Sequence, residues 1–188
     1  MRKVIVSNLV SADGFIAGPD GDLSWFKVDD EFFGYAKELL LATGVILFGR
    51  KTYEMMAAYW PDATTGDPAI IEKMNALPKV VFSRTLEAAA WTNSRLIKTD
   101  PAEAVAKLKQ EAGGDIVIFG SGSIVSLLLA AGLIDDLRLF VNPTVLGTGT
   151  AEFQSMTKRV PLKLRQTRVF ETGVVMLAYE PQHPSKDT

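Results

Sequence analysis

DIVIFGSGSIVSLLLAAG (residues 115–132) runs from an apolar segment, through two glycines separated by a serine, into a segment with helical spacing. Glycine permits a positive φ and lets a ligand approach bare backbone, and a helix beginning just beyond offers unpaired N–H groups and its positive dipole end to an anion. Two readings follow: a tight turn, or a cradle for a phosphate. Val125 stands where the Gly-x-Gly-x-x-Gly dinucleotide fingerprint has its third glycine, so the motif alone does not choose between them.

Outward from this stretch, Val-, Ile- and Phe-rich runs alternate with helical segments. KVIVSNLV (3–10) reads as a buried strand, followed by the loop SADGFIAGPDGDLSW. The next segment, VDDEFFGYAKELLLATG, predicts a helix capped by Asp29, with Gly44 beyond its end. The strand VILFG (45–49) leads into the helix RKTYEMMAAYW, which Pro61 stops; KVVFSRT (79–85) and RLIKT (95–99) are further strands. DPAEAVAKLKQEAGG has the fullest helix signature, with Asp100 as cap, Pro101 in the first turn, Glu103 at capping-box spacing and Gly113 at the exit. Gly132 ends the helix after the glycine motif; DLRLFVNPTVLG is extended, and LKLRQTRVF and VVMLAYE form a hairpin across Glu171-Thr172-Gly173. The expected fold is α/β: a three-layer α/β/α arrangement around a mixed, mostly parallel sheet with a C-terminal antiparallel hairpin. One domain over residues 1–180 and a flexible tail over 181–188 account for the whole chain.

Composition narrows the function. With 188 residues, 47% of them hydrophobic, the chain can bury a sizeable core. A net charge of −2 from 20 basic and 22 acidic residues argues against nucleic acid and anionic membranes as partners. The absence of cysteine removes disulfides, thiolate metal sites and a cysteine nucleophile. The single histidine, His183, lies in the tail PQHPSKDT, so no His-ligated metal or histidine triad is expected. No apolar run reaches the ~18 residues a membrane helix needs, and the N-terminal run is too short for a signal peptide. A cytoplasmic protein is the expectation.

In a parallel sheet ligands gather at the carboxyl ends of the strands, where three loops carry suggestive chemistry. FGRKTYE (48–54) sets Gly49, Arg50, Lys51 and Thr52 at a helix start, so backbone N–H groups, a hydroxyl and cations can converge on a phosphate, or Thr52 can simply cap the helix. VVFSRT ends a strand with Ser83 and Arg84, a pair suited to a phosphomonoester. The glycine motif, with Gly120, Ser121, Gly122, Ser123 and Ile124, is the third. A pyrophosphate needs two helix N-termini, and a third site apart from it suits a 2′-phosphate. Taken together the loops favour a phosphorylated dinucleotide.

VSADGFIAGPDGDLSWF, LFGRKTYE, VVFSRT and the glycine turn resemble, in order and spacing, the dihydrofolate reductase fold. GLIDDLRLFVNPTVLGTGTAEF (132–153) is similar to the reductase domain of the riboflavin pathway, with its Pro-x-x-Leu-Gly-x-Gly pattern. The likeness runs from Val4 to about Glu180. It implies NADPH as cofactor, held by Ile16, Gly49 to Thr52, Ser83, Arg84 and the turn from Gly120 to Ile124. Counting forward from Trp25, the resemblance places a pterin-binding acid at Asp30; counting back from Gly49 places it at Phe33. Phe119-Gly120-Ser121 replaces the adjacent glycines of the true reductases, and Phe119 stands where the riboflavin enzymes usually carry a glutamate. The chain thus resembles the broader dihydrofolate-reductase-like group.

An NADPH-dependent reductase of a small heterocyclic or carbonyl-type substrate is the leading expectation. Asp30, if half buried beneath Trp25 and Phe33, would have a raised pKa and could relay a proton, although acids at a helix start also serve the dipole and the cap. A nucleotide-binding or regulatory module without turnover is the alternative from another class, and a riboflavin-pathway reductase is a third. The apolar C-terminal strands predict a homodimer.

Overall fold

In the computed structural model, which describes residues 1–182, ten strands and five helices follow one another in the order β1 (Val4–Ser11), β2 (Phe15–Ala17), α1 (Asp30–Ala42), β3 (Thr43–Gly49), α2 (Arg50–Tyr59), α3 (Pro68–Ala76), β4 (Lys79–Phe82), β5 (Ser94–Ile97), α4 (Pro101–Gln110), β6 (Asp115–Ile118), α5 (Gly122–Ala130), β7 (Asp136–Asn142), β8 (Thr150–Ala151), β9 (Leu162–Val169) and β10 (Val175–Pro181). Eight strands make one sheet in the order β5-β4-β3-β6-β1-β7-β10-β9; β2 and β8 pair separately. From β5 to β7 every pairing is parallel. The closing hairpin is antiparallel, with β10 also antiparallel to β7. The expected architecture is therefore present, and all the parallel strands end on one side.

Strand alternation divides the core. Val4, Val6, Leu47, Val80, Ile116 and Ile118 point to the α4–α5 face, against Val105, Leu108, Val125 and Leu128. Ile46, Phe48 and Val81 point to the opposite face, where Leu40 of α1, Tyr53 of α2 and Ile70 and Met74 of α3 cover them. Phe140 and Met176 extend that face toward Phe32 and Tyr35 of α1. Burying a large apolar side chain of this kind contributes about 1.5–3 kcal/mol, so this alternation dominates the stability of the sheet.

Three sequence expectations change. Gly44 does not end α1: Thr43 caps it, and Gly44 lies inside β3. A Cβ there would sit 2.7 Å from the Gly114 carbonyl, so close backbone packing, rather than a helix exit, requires the glycine. Helix α3 was not apparent as an element, although Asp67 caps it through the Ala69 N–H and Pro68 opens it. Residues 181 and 182, expected in the tail, belong to the sheet region: Pro181 ends β10, and the Gln182 N–H donates to the Pro161 carbonyl. His183 lies outside the described residues.

Candidate functional site

The carboxyl ends of β4 and β5 lie side by side because Phe82 registers with Ile97. Beyond β4 the chain turns on Ser83, whose N–H donates to the Ile97 carbonyl and whose hydroxyl accepts from the Thr85 and Leu86 N–H groups. Arg84 is left exposed to solvent. A cavity of about 560 Å³ opens here, lined among others by Ser83, Arg84, Lys98, Thr99, Ser123 and Ile124. The second and third suggestive loops thus share one recess. Lys98 and Thr99 are additions that the sequence reading missed; a lysine at a strand end just before a capping Asp100 was the available signal. Asp100 itself is committed to the α4 N-terminus, accepting from Ala102 and Glu103.

The glycine turn is held from three sides. Gly120 and Ser121 are both left-handed, with φ of 60° and 61°. For serine this conformation costs on the order of 1–2 kcal/mol, so something must hold it. The Ser121 hydroxyl accepts from the Gly49 N–H at 2.8 Å, and the Ser121 N–H donates to the Thr52 hydroxyl at 3.1 Å. From β1, the Asn8 side chain accepts from the Gly120 N–H at 2.6 Å and donates to its carbonyl at 3.2 Å. Beneath it, the Asn8 amide donates to Glu152 Oε1 at 2.7 Å. Helix α5 starts immediately beyond; the Ile124 and Val125 N–H groups donate to the Ser121 carbonyl, which leaves those of Gly122 and Ser123 without a partner in the helix.

This geometry corrects the first loop. Gly49 N–H and the Thr52 hydroxyl, expected to converge on a phosphate, are spent on Ser121. Thr52 does not cap its own helix either, since α2 has no side-chain cap. Arg50 pairs with Glu54 one turn on at 3.5 Å, and Lys51 is exposed. Ile16 sits half-buried in β2, which pairs with β8 and so ties the first loop to residues 150–151.

Asp30 is exposed, contrary to the half-buried position expected of it. The cause is helical register: Asp29 caps α1 by accepting from the Phe32 N–H, and Phe32 and Tyr35 turn inward onto Phe140, at ring separations of 5.2 and 5.1 Å. Asp30 and Phe33 then fall on the outer side, and Phe33 is 43% exposed. Trp25 is half-buried, edge-on to Phe26, with its indole N–H on the Asp22 carbonyl. The burial on which a proton relay at Asp30 was argued is absent.

The sequence reading missed Asn8 and Glu152, which are 2% and 0% exposed. A polar residue within the apolar run VIVSNLV was the visible sign of the first. Burial pushes the Glu152 carboxyl up to about 7, while the hydrogen bond from Asn8 acts the other way. In the opposite sense, the Ser11 hydroxyl and then the Gly147 N–H hold Asp13 down to about 2. Asp13 thereby fastens the first loop to the Leu146–Gly147 backbone. Among the described residues no cluster of acidic or histidine side chains could hold a metal, and no helix is long and apolar enough to cross a membrane.

The mostly parallel sheet, its antiparallel closing hairpin and a glycine turn at the strand ends make a dihydrofolate-reductase-like fold. The chain belongs to the RibD C-terminal domain family, which matches residues 2–177. The uncharacterized protein YyaP of Bacillus subtilis (strain 168) is 33% identical over 180 residues, covering 95% of this chain and 94% of the relative. Among solved structures, the fold is similar to that of a diaminohydroxyphosphoribosylaminopyrimidine deaminase/5-amino-6-(5-phosphoribosylamino)uracil reductase from Thermotoga maritima. There the TM-score is 0.70 at 17% identity, covering 96% of this chain and 57% of that one. It is similar as well to dihydrofolate reductase from Enterococcus faecalis in complex with NADP(H), with a TM-score of 0.66 at 15% identity over 96% and 97% of the two chains.

Proposed function

We propose that the protein is an NADPH-dependent reductase of a small heterocyclic or carbonyl-type substrate. The observation that carries this reading is the recess in which Ser83, Arg84 and Lys98 meet the first turn of α5. Two cations, three hydroxyls and helix-terminal N–H groups suit a phosphorylated nucleotide. The residues present therefore fit the cofactor of the fold class: Arg84, Lys98 and Ser83 would take the 2′-phosphate, and the Gly122 and Ser123 N–H groups, not those of Gly120, Ser121 and Ile124, which are already bonded, would take the pyrophosphate. When bound, NADPH supplies a hydride; the chain supplies binding, orientation and exclusion of water. With Asp30 exposed, the proton that must accompany the hydride would come from solvent.

Arg84→Ala is expected to weaken NADPH by about tenfold to a hundredfold, the worth of one charge-assisted phosphate contact, and NADH by much less. Titration of both cofactors by fluorescence reads the difference directly. Equal losses for the two would remove the 2′-phosphate assignment. Oxidation of NADPH against dihydrofolate, a phosphoribosylaminouracil and simple carbonyls then separates a reductase from a nucleotide-binding module, which would bind and not turn over.

The C-terminal strands support a homodimer as part of this reading. Register places Val141, Val175 and Val169 in a row across β7, β10 and β9, with Leu139, Leu177 and Thr167 in the next row. Val169 is 71% exposed and Leu164 51%, so this apolar face continues past its helical cover to the sheet edge. A self-complementary interface there would bury on the order of 1,200–2,000 Å². Sedimentation at micromolar concentration should give twice the chain mass, and Leu177→Arg should halve it; a wild-type monomer would end the proposal.

A further inference from the structure

Glu152 lies 144 residues from Asn8 in sequence, yet its carboxylate reaches the Asn8 amide that grips both the N–H and the carbonyl of Gly120. Its backbone is as closely engaged. The Glu152 N–H donates to the Gly14 carbonyl, and the Glu152 carbonyl lies 2.7 Å from where a Cβ on Gly122 would stand. Oε2, fully buried, has no hydrogen-bond partner. A buried, half-satisfied carboxyl lowers stability, and least when it stays neutral.

We propose that Glu152 is the positioning residue of the glycine turn: through Asn8 it fixes the Gly120–Ser121 peptide, and with it the first N–H groups of α5. The consequence for a dinucleotide rests on the reading given under Proposed function. Asn8 can satisfy Gly120 on both sides only while its own amide is oriented, and the acceptor at Glu152 Oε1 provides that orientation. Serine at 121 then occupies its left-handed conformation with every turn contact in place.

The proton on Glu152 belongs to the device. Its surroundings hold no counter-charge: β1 presents Asn8, the glycine turn presents Gly122, and the first loop presents the Gly14 carbonyl. The nearest carboxylate of that loop, Asp13, is turned to Ser11, Leu146 and Gly147, and Glu152 takes part in no salt bridge among the described residues. Burial therefore raises the group from 4.5 to about 7. As the pH rises through 7 the carboxyl ionises, leaving a buried negative charge beneath a turn that would face an anionic pyrophosphate. Affinity must fall in that direction, and by reciprocity a bound dinucleotide keeps Glu152 protonated.

The test titrates the ¹⁵N-labelled full chain from well below to well above pH 7, in wild type and Glu152→Gln. Glutamine keeps the shape and the acceptor for Asn8 but cannot ionise. The Gly120 amide resonance is expected to move with a midpoint near 7 in the wild type and to stay still in the variant. A stationary wild-type resonance, or identical movement in both proteins, overturns the proposal; the wild-type titration decides alone if the variant does not fold. NADPH affinity of the wild type should weaken roughly fivefold or more over the same range. That of Glu152→Gln should change only by the cofactor's own titration, common to both proteins, and parallel profiles would overturn the coupling to the cofactor. Should NADPH fail to bind at any pH while Gly120 still titrates, the dinucleotide reading falls and the coupling of Glu152 to the turn stands.

Discussion

Replacing Gly149 by alanine is expected to lower the unfolding free energy by about 3 kcal/mol or more, through strain and collision acting together. Gly149 has φ of 143°, which side-chain-bearing residues rarely adopt, and a Cβ there would stand 2.2 Å from the Ala17 carbonyl and 3.1 Å from Gly18 Cα. Both neighbours are backbone, so no rotamer change relieves the contact. What must yield is the pairing of Ala17 with Thr150, the link that holds the first loop against the segment leading to Glu152. Urea unfolding of the variant measures the loss. Gly34 is the control of opposite sign: it sits within α1 with open space around it, and alanine there should gain about 0.5–1 kcal/mol by restricting the unfolded chain. A loss below 1 kcal/mol at Gly149 would show that the β2–β8 link does not constrain the native state.

The sheet was legible because its strands are apolar and its helices carry their own stop signals. Asp29 and Asp100 cap the helices their positions predicted, each accepting N–H groups of the first turn. Helix α3 escaped notice because its nine residues are bracketed by prolines, although its capping Asp67 was in plain view. The candidate site was legible in part. Ser83 and Arg84 line one cavity with Ser123 and Ile124 at the end of the glycine motif, since parallel strands end together. What sequence could not show was the assignment of partners. Gly49 and Thr52 carry the same chemistry whether they face a ligand or Ser121, and only the fold sends them to Ser121. Asn8 and Glu152 acquire meaning from contacts spanning 112 and 144 residues, which no local pattern encodes. Asp30 was misplaced by a question of helical phase: one residue along from the cap, it points outward while Phe32 packs.

The two glycines of the turn, alike in the sequence, are expected to respond differently to substitution. Gly122 has no left-handed requirement, yet its Cβ would lie 2.7 Å from the Glu152 carbonyl and 3.2 Å from that of Ala151. Even alanine must therefore push the first turn of α5 away from residues 151–152, an overpacking cost of about 1–3 kcal/mol, and valine more. Because the displaced groups are the N–H donors assigned to the pyrophosphate, NADPH binding should fall at least about tenfold together with stability. Gly120 is constrained by φ of 60°, and its Cβ would meet the Thr52 methyl and hydroxyl at 3.1 Å, so that Thr52 must shift by a few tenths of an ångström and lengthen the bond it accepts from the Ser121 N–H. Alanine there should cost the left-handed strain, about 1–2 kcal/mol, and part of that bond. Parallel urea unfolding and NADPH titration of Gly122→Ala and Gly120→Ala measure both quantities. Full stability in Gly122→Ala would mean that α5 and the Glu152 segment slide apart freely, and the anchoring role assigned to that contact would be lost. Normal stability loss with unchanged NADPH affinity would instead detach the helix terminus from the cofactor, because a displaced donor cannot keep the same hydrogen bond to a phosphate held by Arg84 and Lys98.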